Sequence, residues 1–317
     1  MAGSGRLPPA AQPAPQDGLR RPGLGTVCRV GPDGHGTAGI GDGGRGAGPA
    51  GGLFRPRYAL SADGRSPVST TAWRGLARSL LIYRAQPWRT LALRRFYRRL
   101  IRPGSLAFDI GAHVGHRSQA MARAGATVLA VEPQPLFADW LARRLGGNPR
   151  ITLIRDAVGA ACGHARLRVS TRHPTVSTLS ADWIDRVAPT AGFDGVCWDG
   201  AVEVRVTTLD ALIARHGRPA FCKIDVEGFE AAILAGLSQP LPCIAFECLP
   251  AARDTALACI DRLSELADDY RYNWVVGERH RWANAEWISA TACRAALRAL
   301  PADSRGLDVY ACRPAPA

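Results

Sequence analysis

Leu106-Ala107-Phe108-Asp109-Ile110-Gly111-Ala112-His113-Val114-Gly115 decides the fold. Leu106 to Ile110 is a short apolar run of the kind that forms a buried strand, and a helical pattern follows at 116–124. Between them lies a glycine-rich turn, which lets a ligand approach the backbone and points the amides of the helix start at it. The spacing is Gly111-x-x-x-Gly115, not the Gly-x-Gly-x-x-Gly of a pyrophosphate-binding dinucleotide fold. Any tight strand-to-helix turn uses glycine, so the meaning of this one depends on what surrounds it.

Outward from the turn, strands and helices alternate. Further strands are expected at Thr127 to Val131, Ile151 to Arg155, Phe221 to Val226, Ile244 to Cys248, Arg271 to Val276 and Leu307 to Cys312, with helices at 135–145, 208–215, 228–236 and 253–267. The alternation implies a doubly wound, mostly parallel sheet covered by helices on both faces. An insertion at 165–206 separates the third and fourth main strands and is expected to add an antiparallel ribbon, Ala165 to Ser170 against Val202 to Val206.

Three successive strand ends carry matching chemistry. The strand after the glycine turn ends Val131-Glu132-Pro133, where a carboxylate can accept hydrogen bonds from the vicinal hydroxyls of a ribose. The next ends Asp156-Ala157-Val158-Gly159, where a carboxylate suits an adenine amino group and the following amide a ring nitrogen. Either acid alone is an ordinary solvated strand end; in order behind a glycine turn they point to a nucleoside cofactor.

The fourth strand end reads Lys223-Ile224-Asp225-Val226-Glu227-Gly228. Its lysine is the only one in a chain with 39 arginines. Guanidinium is bulkier and does not readily lose its proton, so a retained lysine suggests a site that needs a compact ammonium. Lys223 and Asp225 project from the same face of their strand. Asp225 is the first candidate to orient or deprotonate an acceptor, with Lys223 holding the carboxylate or tuning it; the plainer alternative is that Lys223, Asp225 and Glu227 brace the cofactor loop. Glu247, ending the next strand, is a candidate for the acceptor pocket or a buried acid paired with an arginine. His113 and His116 flank the turn as possible bases or as hydrogen-bonding residues at a helix start. Trp274, Trp282 and Trp287 either stack on an acceptor ring or fill core.

Asp109 to Gly115, Val131-Glu132-Pro133, Asp156 to Gly159, Val176-Ser177-Thr178-Leu179, Thr208-Leu209-Asp210, Lys223 to Gly228 and Ala245-Phe246-Glu247 together resemble the FkbM family of S-adenosylmethionine-dependent methyltransferases over about residues 100–250. The resemblance implies a class I methyltransferase (Rossmann-like) fold with a seven-stranded sheet and an antiparallel strand near its end. It implies S-adenosylmethionine as cofactor, transfer to a hydroxyl oxygen, and a small or glycosylated acceptor such as a sugar or polyketide. On this reading Asp109, Gly111, His113, Gly115, Glu132, Asp156 and Ala157 hold the cofactor, Asp225, Lys223 and Glu247 serve catalysis, and Ser177 and Glu227 meet the acceptor. His113 and His116 stand where the family commonly has Asn and an aromatic. Asp225, Glu227 and Glu247 are three carboxylates, but the lysine among them supplies the balancing charge, so no metal is expected.

The net charge of +13 suggests a nucleic-acid partner until it is divided along the chain. Residues 1–102 carry 17 Arg against 4 acids, and residues 103–317 carry 23 cationic residues against 23 acidic ones, so the body is neutral. Residues 1–66, rich in Gly, Pro and Arg, are expected to be disordered. Residues 67–102 are expected to form a basic amphipathic helical element divided at Pro87, with nine arginines from 74 to 102 and no acid. This element is either a packing helix with solvated arginines or an anion-binding surface, which leaves a nucleic-acid methyltransferase or binding protein as the alternative function. Residues 103–317 form the expected catalytic domain. Nine cysteines without metal spacing, several inside apolar runs, read as reduced core residues, and no long uncharged apolar run suggests a membrane span. A cytoplasmic protein is expected.

Overall fold

The structure, a computed structural model, describes residues 87–314. The expected 1–66 tail and the first of the two helices before Pro87 lie outside them. Helix α1 (Pro87–Tyr97) leads into β1 (Leu106–Ile110), α2 (His116–Ala124), β2 (Thr127–Val131), α3 (Pro135–Leu145), β3 (Ile151–Ile154) and the two-residue β4 (Ala157–Val158). The insertion supplies β5 (Gly163–Val169), α4 (Ala181–Val187) and β6 (Gly200–Thr207). Then come α5 (Leu209–His216), β7 (Phe221–Ile224), α6 (Glu230–Ala235), β8 (Cys243–Cys248), α7 (Asp254–Leu266), β9 (Arg271–Val276), α8 (Ala290–Ala299) and β10 (Leu307–Cys312).

Seven strands form the main sheet in the order β3-β2-β1-β7-β8-β10-β9, parallel except that β10 runs antiparallel to both β8 and β9. This is the class I methyltransferase topology expected from the sequence. The expected ribbon forms as β5 paired antiparallel with β6, and β4 joins it on the other side of β6.

Side chains alternate across the sheet with the period of two that a strand imposes. Phe108, Ile110, Leu129 and Val131 enter a core with α5, α6, α7 and α8, whereas Ala107, Val128, Phe221, Ala245 and Tyr310 enter a second core with α1 and α2. Leu93, Phe96 and Tyr97 anchor α1 in that second core while Arg95, Arg98 and Arg99 stay exposed. Trp282 and Trp287 pack against this core and Trp274 against the first, so all three tryptophans fill interior. Trp282 makes ring contacts with Phe96, Trp287 and Tyr310 at centroid distances of 4.7, 5.0 and 4.9 Å.

Three expectations need correction. The helix expected at 228–236 begins only at Glu230, because Glu227 (φ 57°) and Gly228 (φ 89°) adopt left-handed backbone that a right-handed helix cannot include. Helices α4 and α8 were not foreseen, although Ser180 and Ser289 cap them by accepting from Trp183 N and Ala292 N. Cys243 and Cys312, expected to be reduced, are paired as a disulfide, being directly opposed in the antiparallel β8–β10 register. Among the described residues no helix is long and apolar enough to cross a membrane.

Candidate active site

Neighbouring strands β2 and β7 lie on opposite sides of β1, so the connections leaving β1 and β7 diverge and open a crevice beyond the strand ends. An open cleft occupies this place, lined by residues that follow β1, β2, β3 and β7 and by residues of the insertion. At one end Glu132 follows β2 and is 6% exposed; Oε2 accepts from the His113 amide at 2.8 Å and Oε1 from the Gln134 amide at 2.9 Å. These bonds fix the carboxylate at the cleft, and each oxygen keeps a second lone pair for a hydroxyl. Burial pushes the Glu132 carboxyl up to about 7, against the lowering effect of the two amides. Asp156 accepts from Arg205 Nε at 2.9 Å. Phe137, Val158 and Leu167 give this end apolar walls.

At the other end Asp225 sits between two cations, its Oδ2 3.5 Å from both Lys223 Nζ and Arg117 Nε. Those cations share a further carboxylate: Asp308 on β10 receives Lys223 Nζ at 2.9 Å and an Arg117 terminal nitrogen at 3.1 Å. Burial alone would raise the Asp308 carboxyl, but Arg117 and then Lys223 outweigh it and hold the group below its usual range. Burial likewise opposes the Lys223 ammonium, and Asp225 and Asp308 together raise it above the ordinary lysine value. Glu227 and Glu247 also line the cleft, and burial and neighbouring carboxylates lift both well above the usual glutamate range. Glu230, behind them, is pushed up to about 7 by burial.

The insertion holds this end in shape. Thr178 donates its hydroxyl to the Glu227 carbonyl at 2.6 Å, and Ser177 donates to the Pro174 carbonyl at 2.9 Å. Trp183 of α4 packs closely against Gly228, where a Cβ would collide with its side chain. A Cβ on Gly111 would collide with the Asp225 carbonyl oxygen, so this glycine is required for the close approach of the β1 and β7 loops. Among the described residues no set of three or more His, Cys, Asp or Glu side chains is arranged to hold a metal ion.

The sequence model described as the methyltransferase FkbM domain matches residues 109–267, just over half the chain. The chain belongs to the FkbM methyltransferase family. Its cofactor is accordingly S-adenosylmethionine. No curated protein matches the chain by sequence. Among solved structures, the chain is similar to a precorrin-6Y C5,15-methyltransferase from Geobacter metallireducens at 12% identity, covering 72% of this chain and 89% of that one, TM-score 0.34. A putative O-methyltransferase from Klebsiella pneumoniae is 10% identical over 78% and 92%, TM-score 0.37. The O-methyltransferase from Bacillus cereus, solved in complex with SAH, is 13% identical over 78% and 92%, TM-score 0.35. Scores this low leave the fold resting on the chain's own strand order and the family match.

Within this FkbM domain the cleft brings together Gly111, His113, Glu132, Asp156, Ala157, Ser177, Asp225, Glu227 and Glu247. Three expected site residues stand behind its wall. Asp109 is buried and accepts from the Ser118 hydroxyl. Gly115, at φ 78°, makes room for Leu141 and Leu145. Lys223 is 0% exposed and reaches the cleft only through Asp225. Burial lowers His113 to about 3 and His116 to about 4, so both are neutral at physiological pH and too weakly basic there to take a proton from an alcohol. Sequence reasoning missed Arg117, Asp308 and Glu278. For Asp308 a signal existed: an acid inside the apolar strand Leu-Asp-Val-Tyr-Ala-Cys demands a buried counter-ion.

Proposed function

We propose that this FkbM protein is an O-methyltransferase acting on a hydroxyl of a small or glycosylated metabolite. The observation that carries the reading is a single cleft with nucleoside-type groups at one end and, at the other, a carboxylate anchored by two cations. The donor set fits the cofactor: Glu132 offers acceptor lone pairs to a ribose diol, Asp156 and the edge at Ala157 suit an adenine, and Phe137, Val158 and Leu167 supply apolar contact to its faces. When bound, S-adenosylmethionine supplies a methyl group already activated by its sulfonium.

What remains for the chain is to align an acceptor and to relieve its hydroxyl of a proton. Asp225 is the group for that proton. With Oδ2 drawn toward Lys223 and Arg117, Oδ1 is the oxygen offered to a hydroxyl in the cleft. Burial and neighbouring carboxylates shift Glu227 and Glu247 toward the protonated form, in which a carboxyl both donates and accepts hydrogen bonds. That pairing suits the further hydroxyls of a polyol. The Ser177 region of the insertion closes the same end. Isothermal titration with S-adenosylhomocysteine, then transfer of labelled methyl from S-adenosylmethionine to a panel of neutral polyhydroxylated compounds, tests the reading. Product methylated on oxygen is expected, with the rate lost in Asp225→Asn. Failure to bind S-adenosylhomocysteine, or label found on nitrogen or carbon, refutes it.

A further inference from the structure

We propose that Asp308 of β10, outside every sequence motif of the cofactor and acceptor sites, is a positioning residue: it fixes Lys223 and Arg117 and, through them, the carboxylate of Asp225. The inference rests on the reading of Asp225 given above. Asp308 is 7% exposed and divides its two oxygens between the two cations, Oδ1 to Lys223 at 2.9 Å and Oδ2 to Arg117 at 3.1 Å. Each of these contacts is shorter than the 3.5 Å from the same cation to Asp225. Asp308 is therefore the nearer counter-ion of both, and Asp225 receives what direction is left.

The sheet order explains how groups so distant in sequence meet. Strand β8 lies between β7 and β10, and adjacent strands are about 4.8 Å apart. Ala245, the register partner of Lys223, is the intervening residue on this face, and its small side chain leaves the lysine stem a path toward β10. Tyr310 is the next register partner, with Asp308 two residues before it on the same face. The ammonium at the end of that path is fully enclosed, which gives the single lysine of the chain a physical reason. A guanidinium in the same closed place would need more volume and a forked set of acceptors. Helix α2 brings Arg117 onto the same face, and Glu278 lies 3.9 Å from that guanidinium.

The single lysine also supplies the test. Protein labelled with ¹³C,¹⁵N-lysine gives one lysine side-chain NMR signal, and no acceptor is needed to read it. In the wild-type protein the Cε signal is expected to stay flat from about pH 7 to about pH 11, through the ordinary lysine value near 10.4. In Asp308→Asn the titration should move down far enough to enter that window. Affinity for S-adenosylhomocysteine should stay within about twofold, since its contacts lie at the Glu132 end. With an acceptor from the panel, kcat should fall at least about tenfold at unchanged KM for S-adenosylmethionine, and Asp308→Glu should restore part of it. A flat lysine signal in Asp308→Asn, or an unchanged kcat, overturns the proposal. If Asp308→Asn does not fold, the wild-type signal decides: slow ammonium exchange with no titration supports it, and titration at the ordinary lysine value overturns it. Absence of S-adenosylhomocysteine binding would instead count against the functional reading, leaving the lysine result to stand by itself.

Discussion

Glu132→Gln gives the sharpest measurable consequence of the cofactor end. The carboxylate takes one backbone amide on each oxygen and offers its remaining lone pairs to the cleft. Glutamine keeps the shape and one acceptor oxygen but turns the other into an amide NH2, which only donates. One charge-assisted hydrogen bond to the ribose is lost, worth about 1.5–3 kcal/mol, or roughly a 10- to 150-fold rise in Kd for S-adenosylhomocysteine. The pH dependence adds a second arm. Binding needs the ionised carboxylate, and burial raises that group to about 7, so wild-type affinity should fall about tenfold per pH unit below neutrality and level off above it. Glu132→Gln should show no such dependence. Unfolding through Glu132 cannot imitate the trend. A carboxyl raised from 4.5 to about 7 on folding stabilises the fold most below 4.5, and that contribution is lost as pH rises through 7. Calorimetric titration from about pH 5.5 to about 8.5 checks both arms, with thermal melts at each pH to confirm that the protein is folded. A wild-type Kd constant across that range, together with a Gln variant within twofold of it, would refute the assignment of Glu132 to the ribose.

Three further outcomes are expected. Gly228→Ala places a Cβ into the Trp183 ring at a left-handed position, and should lower stability by about 2–4 kcal/mol in urea denaturation; combined with Trp183→Ala the losses should be less than additive, and strict additivity would show the two are not in contact. The acceptor end sets the carboxyl groups of Asp225, Glu227, Glu247 and Glu278 around Arg117, whose charge Asp225 and Asp308 already compensate, so a neutral acceptor should be methylated at least about tenfold faster than its phosphorylated or carboxylated form, and equal rates would contradict the charge argument. Peptide mapping without reductant should recover Cys243 joined to Cys312, and two separate thiol peptides would contradict the cross-strand pairing.

Much of this site was legible in the sequence because its groups stand at strand ends, where chain order and spatial order coincide. Glu132 and Asp156 follow β2 and β3, and the glycine turn follows β1, so three neighbouring strands set three neighbouring groups. The placing of Lys223 near the end of β7 and Asp225 just beyond it was equally local. Other features were not. Asp109 and Gly115 belong to the same motif as Gly111 yet serve packing behind the cleft, a difference that depends on what α2 and α3 press against them. Helix α4 is only seven residues long and α8 is half alanine; the serine caps ahead of them, Ser180 and Ser289, were the local signals that went unread.

The sequence by itself determined the alternating architecture, the placing of Glu132 and Asp156 at successive strand ends and the carboxylate loop, because strand period, glycine conformation and strand-end position act over a few residues. Tertiary structure alone decided which charges neutralise one another. Strand β10 enters the sheet antiparallel beside β8, out of chain order with β9, and this carries Asp308 to within 2.9 Å of a lysine 85 positions earlier. It also sets Cys312 opposite Cys243. No local pattern encodes such meetings, since the register of a late strand is fixed by the burial of its whole apolar face and not by the one acid it carries.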